Sequence, residues 1–174
     1  TGDLGYEIYC DPMAQRALWR TLWEAGQDHG MLPFGMRAMM SLRRDKFFGS
    51  WRSECSPDYT AAETGLDRFI SFKKNADFIG RAAAEAEREA GPARKLCAFE
   101  VDADDADVNA YEPIWLGGEV VGFCTSGGYS HHAGKSIAQG FVPHDQAYDG
   151  LEVEIELLGK MCKARLITTP LFDA

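Results

Sequence analysis

Beyond Gly91-Pro92 the chain turns into a succession of short apolar segments separated by turn residues, and this half restricts the fold more than any other feature. Residues 96–101, 114–116, 119–125, 136–142, 151–157 and 161–168 each read as a strand. Gly117-Gly118 between the second and third is a two-residue hairpin turn, because both positions must take φ > 0. Six short strands in roughly eighty residues predict an all-β module, a small barrel or a jelly roll.

The first half has a different character. Residues 4–10 alternate as a strand, and Asp11-Pro12 open a helix whose stripe of Ala14, Ala17, Leu18, Leu22 and Ala25 runs to Gly26. A second helix starts near Met36 after the Pro33 and Gly35 punctuation and ends before Phe47-Phe48. Residues 51–60 read as a loop and 66–72 as a strand. Asp77 caps a helix over 78–90, and Gly91-Pro92 terminates it. The expected class is α+β, with an α+β domain over 1–92 and a β-barrel domain over 93–174. A chain that opens at Thr1, directly inside a strand and without methionine, is expected to be part of a longer protein.

Two charged residues break local rules. Arg37 stands in the first turn of its helix among apolar neighbours, where the positive end of the helix dipole disfavours a cation by roughly 0.3–1 kcal/mol. Either its stem lies along the apolar surface with the guanidinium in water, or an anion sits nearby. Glu7 lies on one face of its strand between Gly5, which admits a ring or backbone, and Tyr9, which offers an aromatic face. Either it faces solvent on an edge strand, or it accepts hydrogen bonds from a ligand. Spacing alone leaves both pairs of readings open.

The chain has 174 residues, 45% of them hydrophobic and 26% charged, enough to bury a core. A formal net charge of -9 argues against a nucleic-acid surface and for a small-molecule or protein partner. No run reaches membrane-spanning length, so no membrane partner is expected. Five scattered cysteines without a CxxC pair suggest neither a disulfide framework nor zinc; a reducing compartment, the cytoplasm, is expected.

Three apparent motifs fail on inspection. The segment from Gly128 to Ser136 has five residues between its outer glycines where a phosphate loop needs four, and strand-like sequence follows it. His131 and His132 are adjacent, with no carboxylate or Cys at ligand spacing, so no metal is expected. The aspartates at 102, 104, 105 and 107 lack the glycine and acidic ligand that a calcium loop would need at Asp107 and Ala106. They read as a solvated loop. No nucleophile elbow is visible, and a catalytic residue is not assignable.

Six stretches, in this order, are TGDLGYEIY, FGMRAMMSLRRDK, SPDYTAAETGLDRF, KNADFIGRAA, GGEVVGFCTSGGYSHHAGKSIAQGFV and the closing PLFDA. Together they resemble the C-terminal half of the glycine-cleavage T-protein family of aminomethyltransferases, and look closest to the folate-binding part of dimethylglycine and sarcosine dehydrogenases. The Lys-Gly-Cys-Tyr motif of a third branch, linked to iron-sulphur cluster assembly, is replaced here by Lys46-Phe47-Phe48-Gly49. Asp45, Ala61, Thr64 and Gln139 depart from the residues usual in the family.

The resemblance implies the latter part of a ferredoxin-like folate-binding domain followed by a small C-terminal β-barrel. It implies tetrahydrofolate as cofactor, with Glu7 holding the pterin and Arg37 in the folate site. A forked carboxylate suits the side-by-side N–H donors of a pterin, and Arg37 suits an anionic or carbonyl group. A Glu7–Arg37 ion pair without a ligand role is the competing account. The implied reaction moves a one-carbon unit from an amine, either a lipoyl-bound aminomethyl group or a flavin-generated iminium, to tetrahydrofolate. The implied partners are that donor and a missing N-terminal half, which carries the family's catalytic aspartate. An α+β part without its other lobe is expected to self-associate as a homo-oligomer. The alternative is a non-catalytic structural or docking module of a larger folate-dependent enzyme.

Overall fold

The computed structural model describes residues 4–172. Three helices come first: α1 (Gln15–Gln27), α2 (Met36–Asp45) and α3 (Arg81–Ala90). Six strands follow: β1 (Arg94–Val101), β2 (Pro113–Leu116), β3 (Glu119–Ser130), β4 (Lys135–Pro143), β5 (Glu152–Leu157) and β6 (Lys160–Ile167). The fold is α+β, and the strands close into a barrel in the order β1-β4-β3-β2-β5-β6, every pair antiparallel.

Alternation explains the closure. In β5, Val153, Ile155 and Leu157 point inward while Glu152 and Glu154 face water. In β6, Cys162, Ala164 and Leu166 do the same between Lys163 and Arg165. A one-residue slip would reverse every side chain, so register is firmly set. Phe99, Ile114, Val142, Ile155 and Leu166 fill the barrel, and each is essentially inaccessible, while Ile137 and Phe141 are buried on the outer face of β4. Closure also removes the exposed strand edges that an open sheet of these segments would carry. Gly117 and Gly118, at φ 61° and 86°, make the β2–β3 turn as expected.

Several boundaries differ from the sequence expectations. β3 runs on to Ser130 because β4 continues opposite it, pairing Tyr129 with Ser136 and Ser130 with Lys135. The Gly-Gly-Tyr-Ser stretch is therefore the end of a strand. Residues 4–10 are not strand, since no ladder partner lies beside them among the described residues; Leu4, Tyr6 and Tyr9 stand open to solvent. Residues 66–72 contain a short 3-10 turn, Asp67–Phe69, instead of a strand. At α1, Asp11 Oδ1 accepts from the Met13 N–H at 2.8 Å, but the helix proper begins only at Gln15. Gly80, left-handed at φ 87°, delays α3 to Arg81.

Candidate functional site

α2 passes from exposed at its start to buried at its end. Met36, Arg37 and Ala38 are open, whereas Arg43, Arg44 and Asp45 are buried. Two cations in the last turn suit the negative end of the helix dipole. Burying them requires partners, and the loop after α2 and strand β4 supply those of Arg43.

Arg43 Nη1 donates to the Phe48 carbonyl at 2.7 Å and to Gln139 Oε1 at 2.8 Å, and lies 3.3 Å from Glu54 Oε2. Glu54 has no accessible surface. Its Oε2 accepts from the Ser50 N–H at 2.6 Å, and its Oε1 accepts from Thr125 Oγ1 at 2.8 Å and Ser126 Oγ at 2.7 Å. The acceptor sites of a carboxylate number about four, so Glu54 is fully satisfied. Burial by itself would raise its pKa, but the donors from Ser126, Ser50, Arg43 and Thr125 outweigh burial, and the carboxyl sits below its usual range. Burial pulls the Arg43 guanidinium down, against the opposing attraction of Glu54. Arg44 is lowered too, by burial and by the charge of Arg43.

Thr125 and Ser126 are consecutive, and on a regular strand they would face opposite sides of the sheet. The β3–β4 register shifts between Cys124 and Ser126, a bulge that turns both hydroxyls toward Glu54. The same barrel wall also meets α2 through Ser41, whose hydroxyl donates to the Tyr129 carbonyl at 2.7 Å. The guanidinium of Arg44 lies against Gly128, where a Cβ would fall 2.1 Å from its Nη2. His132 stacks on Phe172 at 4.2 Å, and the Phe172 N–H reaches the Asp45 carbonyl at 3.3 Å, so the C-terminal segment closes over the end of α2.

Glu7 and Arg37 lie elsewhere. Glu7 is exposed, and its Oε2 accepts from the Tyr9 hydroxyl at 2.7 Å. That bond raises the Tyr9 pKa. Arg37 is exposed in the first turn of α2. Among the described residues neither forms an ion pair, with the other or with anything else. Each therefore presents a charged group to whatever approaches from outside. Sequence reasoning missed the Arg43–Glu54 cluster, although a signal existed. Arg43 stands seven residues after Met36 and three after Met40, on the side of the helix that carries those methionines, a position where a cation must find partners if the side is buried.

The surface also carries hollows. A groove of about 630 Å³ along the barrel is lined by Glu100, Trp115, Tyr129, Lys135, Glu154 and Arg165. A smaller pocket of about 190 Å³ lies among Arg52, Tyr59, Tyr111 and Phe123, with Thr125 in its wall. Among the described residues, no group of three or more His, Cys, Asp and Glu side chains is gathered for a metal ion, and no helix is long and apolar enough to cross a membrane.

Comparison with known proteins places this architecture. Residues 1–74 match the GCVT N-terminal domain, and residues 94–173 match the glycine cleavage T-protein C-terminal barrel domain. Dimethylglycine dehydrogenase, mitochondrial, of Rattus norvegicus is 40% identical over 171 residues, which is 98% of this chain and 20% of that protein. The aminomethyltransferase of Symbiobacterium thermophilum is 38% identical over 172 residues, 99% of this chain and 46% of that protein. This chain thus spans less than half the length of these relatives. The crystal structure of glycine cleavage system aminomethyltransferase T from Bartonella henselae superposes with a TM-score of 0.81 over 92% of this chain and 44% of that one, at 24% identity, and shows the same fold. Two domain matches covering most of the chain, with a closed six-stranded barrel where the second match lies, establish that this chain belongs to the glycine cleavage T-protein family.

Proposed function

We propose that this chain is part of a tetrahydrofolate-dependent one-carbon transferase, taking a one-carbon unit from an amine, and that Glu7 and Arg37 hold the folate. The observation that carries this reading is the state of Glu7: an exposed carboxylate, fixed on one side by the Tyr9 hydroxyl and open on the other among the described residues. A pterin edge offers an amino group and a ring N–H to such a group. Arg37 presents a guanidinium at a helix start without an anion to neutralise it among the described residues, which suits a carbonyl or carboxylate of the folate. Folate, when bound, supplies the nucleophilic amine that receives the one-carbon unit. The residues named here bind and orient it.

In this reading the chain divides at 92/93, and the donor is an amine handled by other parts of the protein. The relatives' names, aminomethyltransferase and dimethylglycine dehydrogenase, support that class of donor. Five free cysteines suit a reducing compartment such as the cytoplasm. A docking role is the second reading. It is favoured by the apolar side chains of Leu4, Tyr6, Ile8, Leu32, Phe34 and Met36, all exposed.

Calorimetric titration of tetrahydrofolate into this chain, beside Glu7→Gln and Arg37→Ala, tests the proposal. Saturable binding that both variants weaken at least tenfold is expected. Binding unchanged in the variants would overturn the assignment of these residues, and no binding by the parent chain would favour the docking role.

A further inference from the structure

We infer that Glu54 and Gln139 are positioning residues: through Arg43 they lock α2, and with it Arg37, in one orientation against the barrel. The functional half of this inference rests on the folate reading above.

Three locally unfavourable features meet at one place. A buried ion pair stabilises a fold no better than apolar residues of the same volume, and is retained best where one arrangement must be chosen over others. Arg43 and Glu54 are such a pair. Gln139 is a buried polar side chain at an otherwise apolar stretch of β4, on the same face as Ile137 and Phe141. The bulge at Cys124–Ser126 interrupts the ladder so that two hydroxyls, not one, reach Glu54. Bulges re-aim side chains at specific sites. Apolar packing can slide by small steps, whereas three hydrogen bonds and an ion pair on a single carboxylate are satisfied at one position only.

The geometry connects this cluster to Arg37. Arg37 and Ser41 are one turn apart on the same side of α2, and Ser41 is tied to the Tyr129 carbonyl. Arg43 is fixed two residues later, to Gln139 on β4 and, through Glu54, to β3. Six residues, about 9 Å of helix, separate Arg43 from Arg37. A helix that short transmits any rotation at its anchored end to its free end. Arg37 itself has no protein partner among the described residues to hold it, so its position depends on these anchors.

The test uses Gln139→Leu, which keeps the volume and removes the Arg43 acceptor, with Glu54→Gln as a second variant that keeps the shape and removes the charge. Amide hydrogen exchange comes first and needs no folate. In both variants, protection over 36–45 should fall at least tenfold more than that of the amides of β5 and β6, whose loss follows global stability alone. Unchanged protection in α2, or an equal loss throughout the barrel, would overturn the inference whatever folate does.

Tetrahydrofolate titration then reads the functional half. Gln139→Leu should weaken binding about fivefold alone and add nothing in an Arg37→Ala background. A full additional loss in that background, or wild-type affinity in Gln139→Leu despite a loosened α2, would overturn the link to Arg37. Absence of binding by the wild-type chain would refute the folate reading and with it that link, while the exchange result would still decide the anchoring.

Discussion

Thr125 and Ser126, neighbours on one strand, both donate to the same oxygen of Glu54, at 2.8 and 2.7 Å. Only a bulge permits this, since side chains on a regular strand alternate. The consequence is a carboxylate that is inaccessible, ionised and saturated, placed where α2 meets the barrel.

Glu54→Gln should lower stability at pH 7 by about 3 kcal/mol, because it leaves the buried Arg43 charge without its partner. The pH dependence has a definite sign. The folded-state carboxyl lies below its ordinary value of 4.5, so its stabilisation is present above about pH 4.5 and is lost as the pH falls through the folded value. Urea unfolding at pH 7, 5, 4 and 3 should show wild type and variant converging as the pH falls. A gap of constant size would contradict the ionised assignment.

Gly127→Ala should destabilise by about 3 kcal/mol or prevent folding, as an overpacked core position does. A Cβ there would stand 2.4 Å from the Val108 carbonyl oxygen, which is backbone and cannot swing aside. Thermal unfolding checks this, with Gly35→Ala, where nothing lies within 4 Å, as the mild comparison.

Leu158→Asn should raise stability by about 0.5–1 kcal/mol. Leu158 is exposed in the β5–β6 turn at φ 50°, followed by Gly159 at 79°. A branched apolar residue is disfavoured there, whereas Asn-Gly suits such a turn. An unchanged or lower midpoint in denaturant would count against it.

The cysteines should separate into classes on alkylation at pH 8. Burial pushes the Cys97 thiol to about 11 and the Cys124 thiol to about 12, so neither forms thiolate in the folded chain. Cys10 is exposed. Mass spectrometry after a short iodoacetamide pulse should find Cys10 modified and Cys97 and Cys124 only after denaturant is added.

Sedimentation velocity at micromolar concentration should show this chain self-associating. The exposed Tyr6, Ile8, Met13, Trp19, Leu32 and Phe34 belong to one stretch of sequence and leave more apolar surface than isolated chains commonly tolerate. A monomer under these conditions would argue that the surface is already covered.

The barrel was legible because its signal is local. Alternation in Glu-Val-Glu-Ile-Glu-Leu tells each residue which way to face, and Gly117-Gly118 announces its own turn. α2 was legible for the same reason, from Gly35 and the methionine spacing. The segment 4–10 misled, because alternation shows only that a strand is favourable and says nothing about whether a neighbour is present to pair with it. The Arg43–Glu54–Gln139 cluster was not legible as a unit. Its members come from α2, a loop and two strands, and one of them works only because of a bulge that no local pattern encodes.

By itself, the sequence determined the family, through six stretches in the family's order, and the α+β class, the helix carrying Arg37 and the six strands, which depend on short-range periodicity and turn chemistry. The tertiary structure alone decided that the strands close in the order β1-β4-β3-β2-β5-β6, that Arg43 and Arg44 and not Arg37 are buried, and that Glu7 and Arg37 stand open. The reason is physical. Burial and the pairing of charges are set by what arrives from distant parts of the chain, and Glu54 is buried only because Thr125, Ser126 and Arg43 arrive to satisfy it.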